Sequence, residues 1–219
     1  MGRYLVTGAN RGIGLELSRQ LAERGDEVIA ACRNSSPELD ALGVRVETRL
    51  DVGDQASVEA LGDRLAGVEL AGLINNAGIL ERVRFDELDI ESIRRQFEIN
   101  SLGPLRVTRA LLDNFADGAR IGIITSLMGS MTDNTSGSHY GYRMSKAAVN
   151  AAGVSLAQDL RSRGIAVAML HPGMVATEMT GGRGISTGES ARGLLARLDG
   201  LDLKNSGTFW HVDGRELPW

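Results

Sequence analysis

The chain has 219 residues, 42% of them hydrophobic and 24% charged, which is enough for one sizeable core and short for two ordinary domains. Its net charge of −4, with 24 Lys and Arg spread along the sequence, supplies no basic field for nucleic acid. Twenty-eight glycines exclude a helical bundle and 4% aromatic residues argue against a β-sandwich, whereas an α/β protein with many strand–helix turns accommodates both.

The first apolar run, "RYLVT", meets glycine at once, too soon for a signal-peptide core or a membrane span, and Val6 breaks the myristoylation pattern. Cys32 is the single cysteine and cannot form an internal disulfide, so a cytoplasmic protein is expected. His139, His171 and His211 lie too far apart for a zinc motif, and no metal is expected.

That first run feeds "TGANRGIG", Thr7 to Gly14, and a helix predicted over Ile13–Arg24. Glycines at such a turn let the backbone approach a pyrophosphate, which the first N–H groups of the helix then bind. Gly8, Asn10, Arg11, Gly12, Ile13 and Gly14 are therefore the expected dinucleotide contacts, although the spacing G-x-x-x-G-x-G departs from G-x-G-x-x-G. The second run, "EVIAAC", ends where a carboxylate for a ribose 2′-hydroxyl is expected; Cys32 stands there instead, and Arg33 offers a cation for a 2′-phosphate. NADP(H) is the expected cofactor, with NAD(H) still usable.

"VRVETRL" follows, then a helix over Gln55–Ala66, the run "LAGLINNAG" and a long helix over Ser92–Phe115. "RIGIITS", a second long helix over Tyr142–Arg163, "IAVAMLHPG", a helix over Gly188–Arg197 and "GTFWHV" complete the chain. Apolar runs without alternation suit strands buried on both faces of a parallel sheet, so the fold class is α/β, a Rossmann-type doubly wound sheet of about seven strands with helices on both faces. No linker or repeat divides it, and residues 1–219 are expected to form a single domain. The two long helices carry apolar residues on more than one face, which predicts a homodimer first and a tetramer second.

The stretch "SHYGYRMSKAA" places two tyrosines before a lysine. Residues four apart share a helix face and residues six apart do not, so Tyr142 faces Lys146 and Tyr140 does not. An ammonium near a phenol favours the phenolate and would tune Tyr142 as a proton donor.

Together, "TGANRGIG", "NNAG" at Asn75–Gly78, "EIN" ending at Asn100, "ITS" ending at Ser126, "YRMSK" at Tyr142–Lys146 and "HPG" before "VATEM" resemble the short-chain dehydrogenase/reductase family, in order and interval. The terminal "FWHVDGRELPW" is similar to the branch of C-factor and sniffer-like carbonyl reductases. The resemblance implies reversible reduction of a small ketone or aldehyde with catalytic residues Asn100, Ser126, Tyr142 and Lys146. Tyr142 would be acid and base, Lys146 would hold the nicotinamide ribose and, with the charge of oxidised cofactor, lower the tyrosine pKa, and Ser126 would orient the substrate oxygen. Asn100 would hold a water that resupplies protons. Asp51, followed by Val52, matches the acid near the adenine amino group, with an N-cap role for the next helix as the alternative. Asn76, Ala77 and Gly78 would close over the adenosine ribose, and Pro172, Gly173, Val175 and Thr177 would wrap the nicotinamide.

Two departures stand out. The interval from Ser126 to Tyr142 is slightly long, with a polar stretch "MGSMTDNTSGSH", and the segment after Thr177 is short and glycine-rich, which predicts a mobile lid over an open, permissive site. A nucleotide-binding signalling protein of the same fold, with little turnover, is the alternative function.

Overall fold

A computed structural model describes residues 1–219. Seven strands form one sheet, β1 (Arg3–Thr7), β2 (Glu27–Ala31), β3 (Arg45–Glu47), β4 (Leu70–Asn75), β5 (Phe115–Ile124), β6 (Ala166–His171) and β7 (Phe209–His211). Their order is β3-β2-β1-β4-β5-β6-β7, and every neighbouring pair is parallel. The strand order reverses between β1 and β4, which opens a crevice at their C-terminal ends where ligands of such sheets bind.

Alternate side chains of each strand enter different cores, because a strand projects successive residues to opposite faces. Leu5, Leu73, Ile121 and Ile123 pack with Val58 and Leu61 of α3 (Gln55–Arg64), Val107 of α5 (Gly103–Ala110) and Val149 of α6 (Tyr140–Asp159). Val6, Ile74, Ile124 and Leu170 pack on the other face with Leu17 and Leu21 of α1 (Gly12–Glu23) and Leu194 and Leu198 of α7 (Thr187–Asp199). Each such leucine removes enough apolar surface from water to contribute about 2 kcal/mol.

The strand runs and most helices fall where the apolar pattern places them, with three differences. The helix expected over Ser92–Phe115 is broken: α4 (Ile90–Phe97) passes through a π-turn over Glu98–Leu102 into α5, a short 3-10 turn follows at Leu112–Asn114, and Phe115 already belongs to β5. Pro104 has no N–H for the carbonyl of Asn100 four residues back, so an unbroken α-ladder is impossible there. The helix expected over Tyr142–Arg163 starts two residues earlier, at Tyr140, and passes into a 3-10 turn over Arg161–Arg163. A short helix, α2 (Pro37–Asp40), was not expected; Ser36 caps it by accepting the N–H of Leu39, and proline occupies its first turn.

Candidate active site

The glycine turn between β1 and α1 lies against the end of β4. Gly8 has φ +66°, and a Cβ there would come within 2.9 Å of the Ala77 Cα. A Cβ on Gly14 would sit 2.3 Å from the Gly8 carbonyl oxygen, so only glycine permits this approach. One hydroxyl ties the two strands: Thr7 Oγ1 accepts the N–H groups of Asn76 and Ala77, both at 3.0 Å. The Asn76 amide returns the contact, donating to the carbonyls of Thr7 at 2.9 Å and Gly8 at 3.2 Å. Asn10 offers its carbonyl to Ser36 Oγ at 2.8 Å, Gly12 takes φ +56°, and Ile13 packs into the core behind the turn. No side chain caps α1 and its first turn carries no acid, so its positive end and free N–H groups suit a phosphate.

Around this cradle the expected polar contacts divide. Arg33 is exposed and without an ion-pair partner, next to the buried Cys32. Arg11, expected to approach the same phosphate, instead pairs with Glu178, because the segment after Thr177 folds back over the glycine turn. Asp51 does not cap α3: its carboxylate accepts the Gly53 N–H at 2.9 Å, while Asp54 accepts from Ala56 and takes the N-cap. Val52 is buried against Gly103.

Ser126, Tyr142 and Lys146 converge at the C-terminal end of β5, exposed only 8%, 8% and 5%. The Lys146 Nζ lies 5.7 Å from the Tyr142 ring centroid and donates to the Ile124 carbonyl at 2.9 Å. A Cβ on Gly78 would lie 3.1 Å from Asn100 Oδ1 and 3.7 Å from Lys146 Nζ, so the end of β4 closes the group from the other side. The two tyrosines separate as their spacing dictates, Tyr140 being exposed and stacked at a tilt on Phe85 with 6.0 Å between centroids.

The lowering expected of the Tyr142 pKa draws on the charge of oxidised cofactor as well as on Lys146, and the protein's own burial opposes it. Burial pushes the phenol up to about 12, with the Ser126 hydroxyl pulling the other way. Burial also lowers Lys146 to about 8, since its one protein partner is a neutral carbonyl. Tyr142 is thereby held as a neutral phenol, the form that can give a proton away.

Asn100 sits in the π-turn with both side-chain atoms engaged. Its Oδ1 accepts the Ile79 N–H at 2.9 Å, and Nδ2 donates to the Ile79 carbonyl at 2.9 Å and to Ser145 Oγ at 3.0 Å. The side chain is a brace between the π-turn, α6 and the strand end beside Gly78.

After β6, the Pro172 carbonyl accepts from Ser190 Oγ, Gly173 turns at φ +79°, and Val175 forms a bridge with Ile185. Thr177 and Thr180 form a reciprocal cap. The expected loosely held lid is therefore fastened to itself and, through Glu178, to Arg11. Next to it, His171 meets His211 edge-on with 5.1 Å between centroids, its Nδ1 is unpartnered, and burial drives its pKa down to about 4.

Two contributors escaped the sequence reading. Thr7 had a signal, standing directly before the first glycine, whereas Arg143 had none: it reaches the carbonyls of Met128 and Gly137 and the hydroxyl of Ser136, fastening the loop between Ser126 and Tyr142 to α6.

Comparison with known proteins agrees with this geometry. The chain is 46% identical over 226 residues to the 1-hydroxy-2-glutathionyl-2-methyl-3-butene dehydrogenase of Rhodococcus sp. (strain AD45), covering all of both proteins. It is 45% identical over 151 residues to C-signal of Myxococcus xanthus, covering 67% of this chain and 91% of that protein. The crystal structure of an NADPH-bound carbonyl reductase from chicken fatty liver superposes with a TM-score of 0.91 at 32% identity, covering 99% of this chain and 98% of that one. Residues 3–186 match the short chain dehydrogenase family. With its parallel seven-stranded sheet and the serine, tyrosine and lysine gathered at the crevice, the chain belongs to the short-chain dehydrogenase/reductase family of oxidoreductases, in the branch of the carbonyl reductases.

Proposed function

We propose that the whole chain works as one domain that reduces a ketone or aldehyde with NADPH and runs in reverse as an alcohol dehydrogenase, with Tyr142 as acid and base. The convergence of buried Ser126, Tyr142 and Lys146 beside Gly78 carries this reading. The nicotinamide, when bound, supplies or accepts the hydride. Tyr142 gives its proton to the carbonyl oxygen, for which its high pKa keeps it loaded, and Ser126 donates a hydrogen bond to that oxygen as charge develops. Lys146 would hold the ribose of a bound cofactor with its remaining N–H groups, and its charge beside the phenol would favour the tyrosinate that forms on transfer.

The unpartnered Arg33 favours NADP(H), with NAD(H) as a weaker alternative, and the likeness to an NADPH-bound reductase supports this. Burial lowers the pKa of His139, just before the catalytic helix, and the positive charges of Arg143 and Arg82 add to the effect. That suits a substrate with carboxylates, as a glutathione conjugate has, and one belongs in the test panel. Ile90, Phe97 and Met144 are exposed apolar residues on α4 and α6, which supports a homodimer, with a tetramer second. No helix is long and apolar enough to cross a membrane, which fits the cytoplasmic setting we propose.

The test is NADPH oxidation across ketones, aldehydes, quinones and keto esters with Tyr142→Phe and Tyr140→Phe. The first should lose at least about a hundredfold in kcat with cofactor affinity little changed, and the second should be mild; the opposite order would refute the mechanism. The C-signal likeness favours a second reading, a nucleotide-binding regulator, which tight cofactor binding without turnover on any substrate would support.

A further inference from the structure

The loop between Ser126 and Tyr142 and the C-terminal stretch meet in the fold. Residues 131–137 of the loop are all exposed, and Met131 presents 77% of its surface to solvent. Such a segment has little apolar burial to offset the roughly 1 kcal/mol or more that ordering each residue costs, so its anchors decide its position. Outside the loop and its flanks these come from two places. Arg143 holds the far end, donating to Ser136 Oγ at 2.8 Å and the Gly137 carbonyl at 3.1 Å. At the near end the Thr132 N–H donates to the main-chain oxygen of Trp219 at 3.0 Å.

Trp219 is itself fixed. After β7 the chain turns, with the His211 N–H donating to the Arg215 carbonyl at 2.9 Å, and returns antiparallel through the Trp210–Glu216 bridge and the bond from Leu217 N–H to the Phe209 carbonyl at 2.8 Å. The return brings the Trp219 indole flat onto the Phe209 ring, 5.4 Å between centroids and 24° between planes, and Phe209 is 1% exposed. The edge strand of the sheet thus reaches the loop between the two catalytic side chains through one stacked aromatic.

We propose that Trp219 is a positioning residue for the substrate: its stack on Phe209 and its bond to Thr132 set the loop that joins Ser126 to Tyr142, and with it the room available to bulky carbonyl compounds. The substrate half of this rests on the carbonyl reductase reading; the loop half does not.

The experiment compares Trp219→Ala and Trp219→Phe with the parent protein. Amide hydrogen exchange is followed by mass spectrometry, and turnover is measured with a bulky aryl ketone and a small aldehyde. In Trp219→Ala, exchange in residues 131–137 should quicken roughly five- to tenfold, the scale of one net hydrogen bond, while α7 and β6 keep their protection. KM for the bulky ketone should shift with kcat for the small aldehyde retained, and Trp219→Phe, which keeps the stack, should return both toward the parent values. Unchanged loop exchange in Trp219→Ala, or equal acceleration throughout the sheet, overturns the proposal, as does an unaltered KM beside a loosened loop. A parent protein that reduces no carbonyl defeats the functional reading, and the exchange data then decide the clamp alone.

Discussion

Replacing Lys146 by Met should separate stability from activity, and the separation should depend on pH. The ammonium is 5% exposed, its one protein partner is the Ile124 carbonyl at 2.9 Å, and burial lowers its pKa from 10.5 to about 8. Keeping it charged at pH 7 therefore costs the fold about 3 kcal/mol relative to a neutral side chain of the same shape. Lys146→Met removes that buried charge and should be stabilised at pH 7 by up to this amount, less whatever packing the thioether loses. The pH course is sharper. Between pH 8 and 10.5 the unfolded lysine holds its proton while the folded one has lost it, so the parent protein gains stability as pH rises, and the variant, lacking the group, does not. The variant's stability relative to the parent should fall by about 3 kcal/mol across that window, read from urea unfolding at matched slopes, while its turnover at pH 7 is reduced at least about a hundredfold. A difference that stays flat from pH 7 to 10.5 would refute burial as the cause of the shift.

Arg33→Ala should weaken NADPH about ten- to a hundredfold, leave NADH nearly unaffected and make NADPH binding less sensitive to salt, as titrations of cofactor fluorescence at two ionic strengths would show; equal use of NADH by the parent protein would mean that Arg33 only faces solvent. His171 is held neutral by burial, with the neighbouring His211 and Arg215 adding to the effect and Asp213 opposing it. Its depressed pKa costs nothing above pH 6.5, and as pH falls from 6.5 to 4 it should remove about 3 kcal/mol of stability; His171→Asn should flatten that limb of the acid unfolding curve. Light scattering at micromolar concentration should give a multiple of the 23.4 kDa chain mass, and the monomer mass would remove the dimer.

The sheet was legible because its strands lie buried on both faces, leaving uninterrupted runs such as "IAVAMLH" that no helix period explains. Tyr142 and Lys146 were legible for a similar reason, since a four-residue spacing fixes a shared helix face whatever surrounds it. What the sequence hid was set by contacts across the fold. The π-turn at Asn100 inserts one residue into the helical ladder, a shift hidden because apolar residues in this stretch already occupy more than one helix face, and Pro104 signalled it only in retrospect. Whether Arg11 reaches a phosphate or Glu178 depends on where a segment some 167 residues further on comes to rest. Spacing reports the charge that neighbours Tyr142 but not how deeply the phenol is buried, and burial raises its pKa in the protein by itself.

Thr7 accepts two amides with one oxygen. That one oxygen ties the glycine turn after β1 to the end of β4 through the chain's own atoms, so the shape of the seat is set by contacts with the main chain and not by the charges around its rim. Such a seat treats the parts common to both nicotinamide cofactors alike. On the reading proposed above, discrimination between them would fall to the exposed Arg33 at the rim, and a change of cofactor preference in this scaffold would then be a problem of surface charge that leaves the seat untouched.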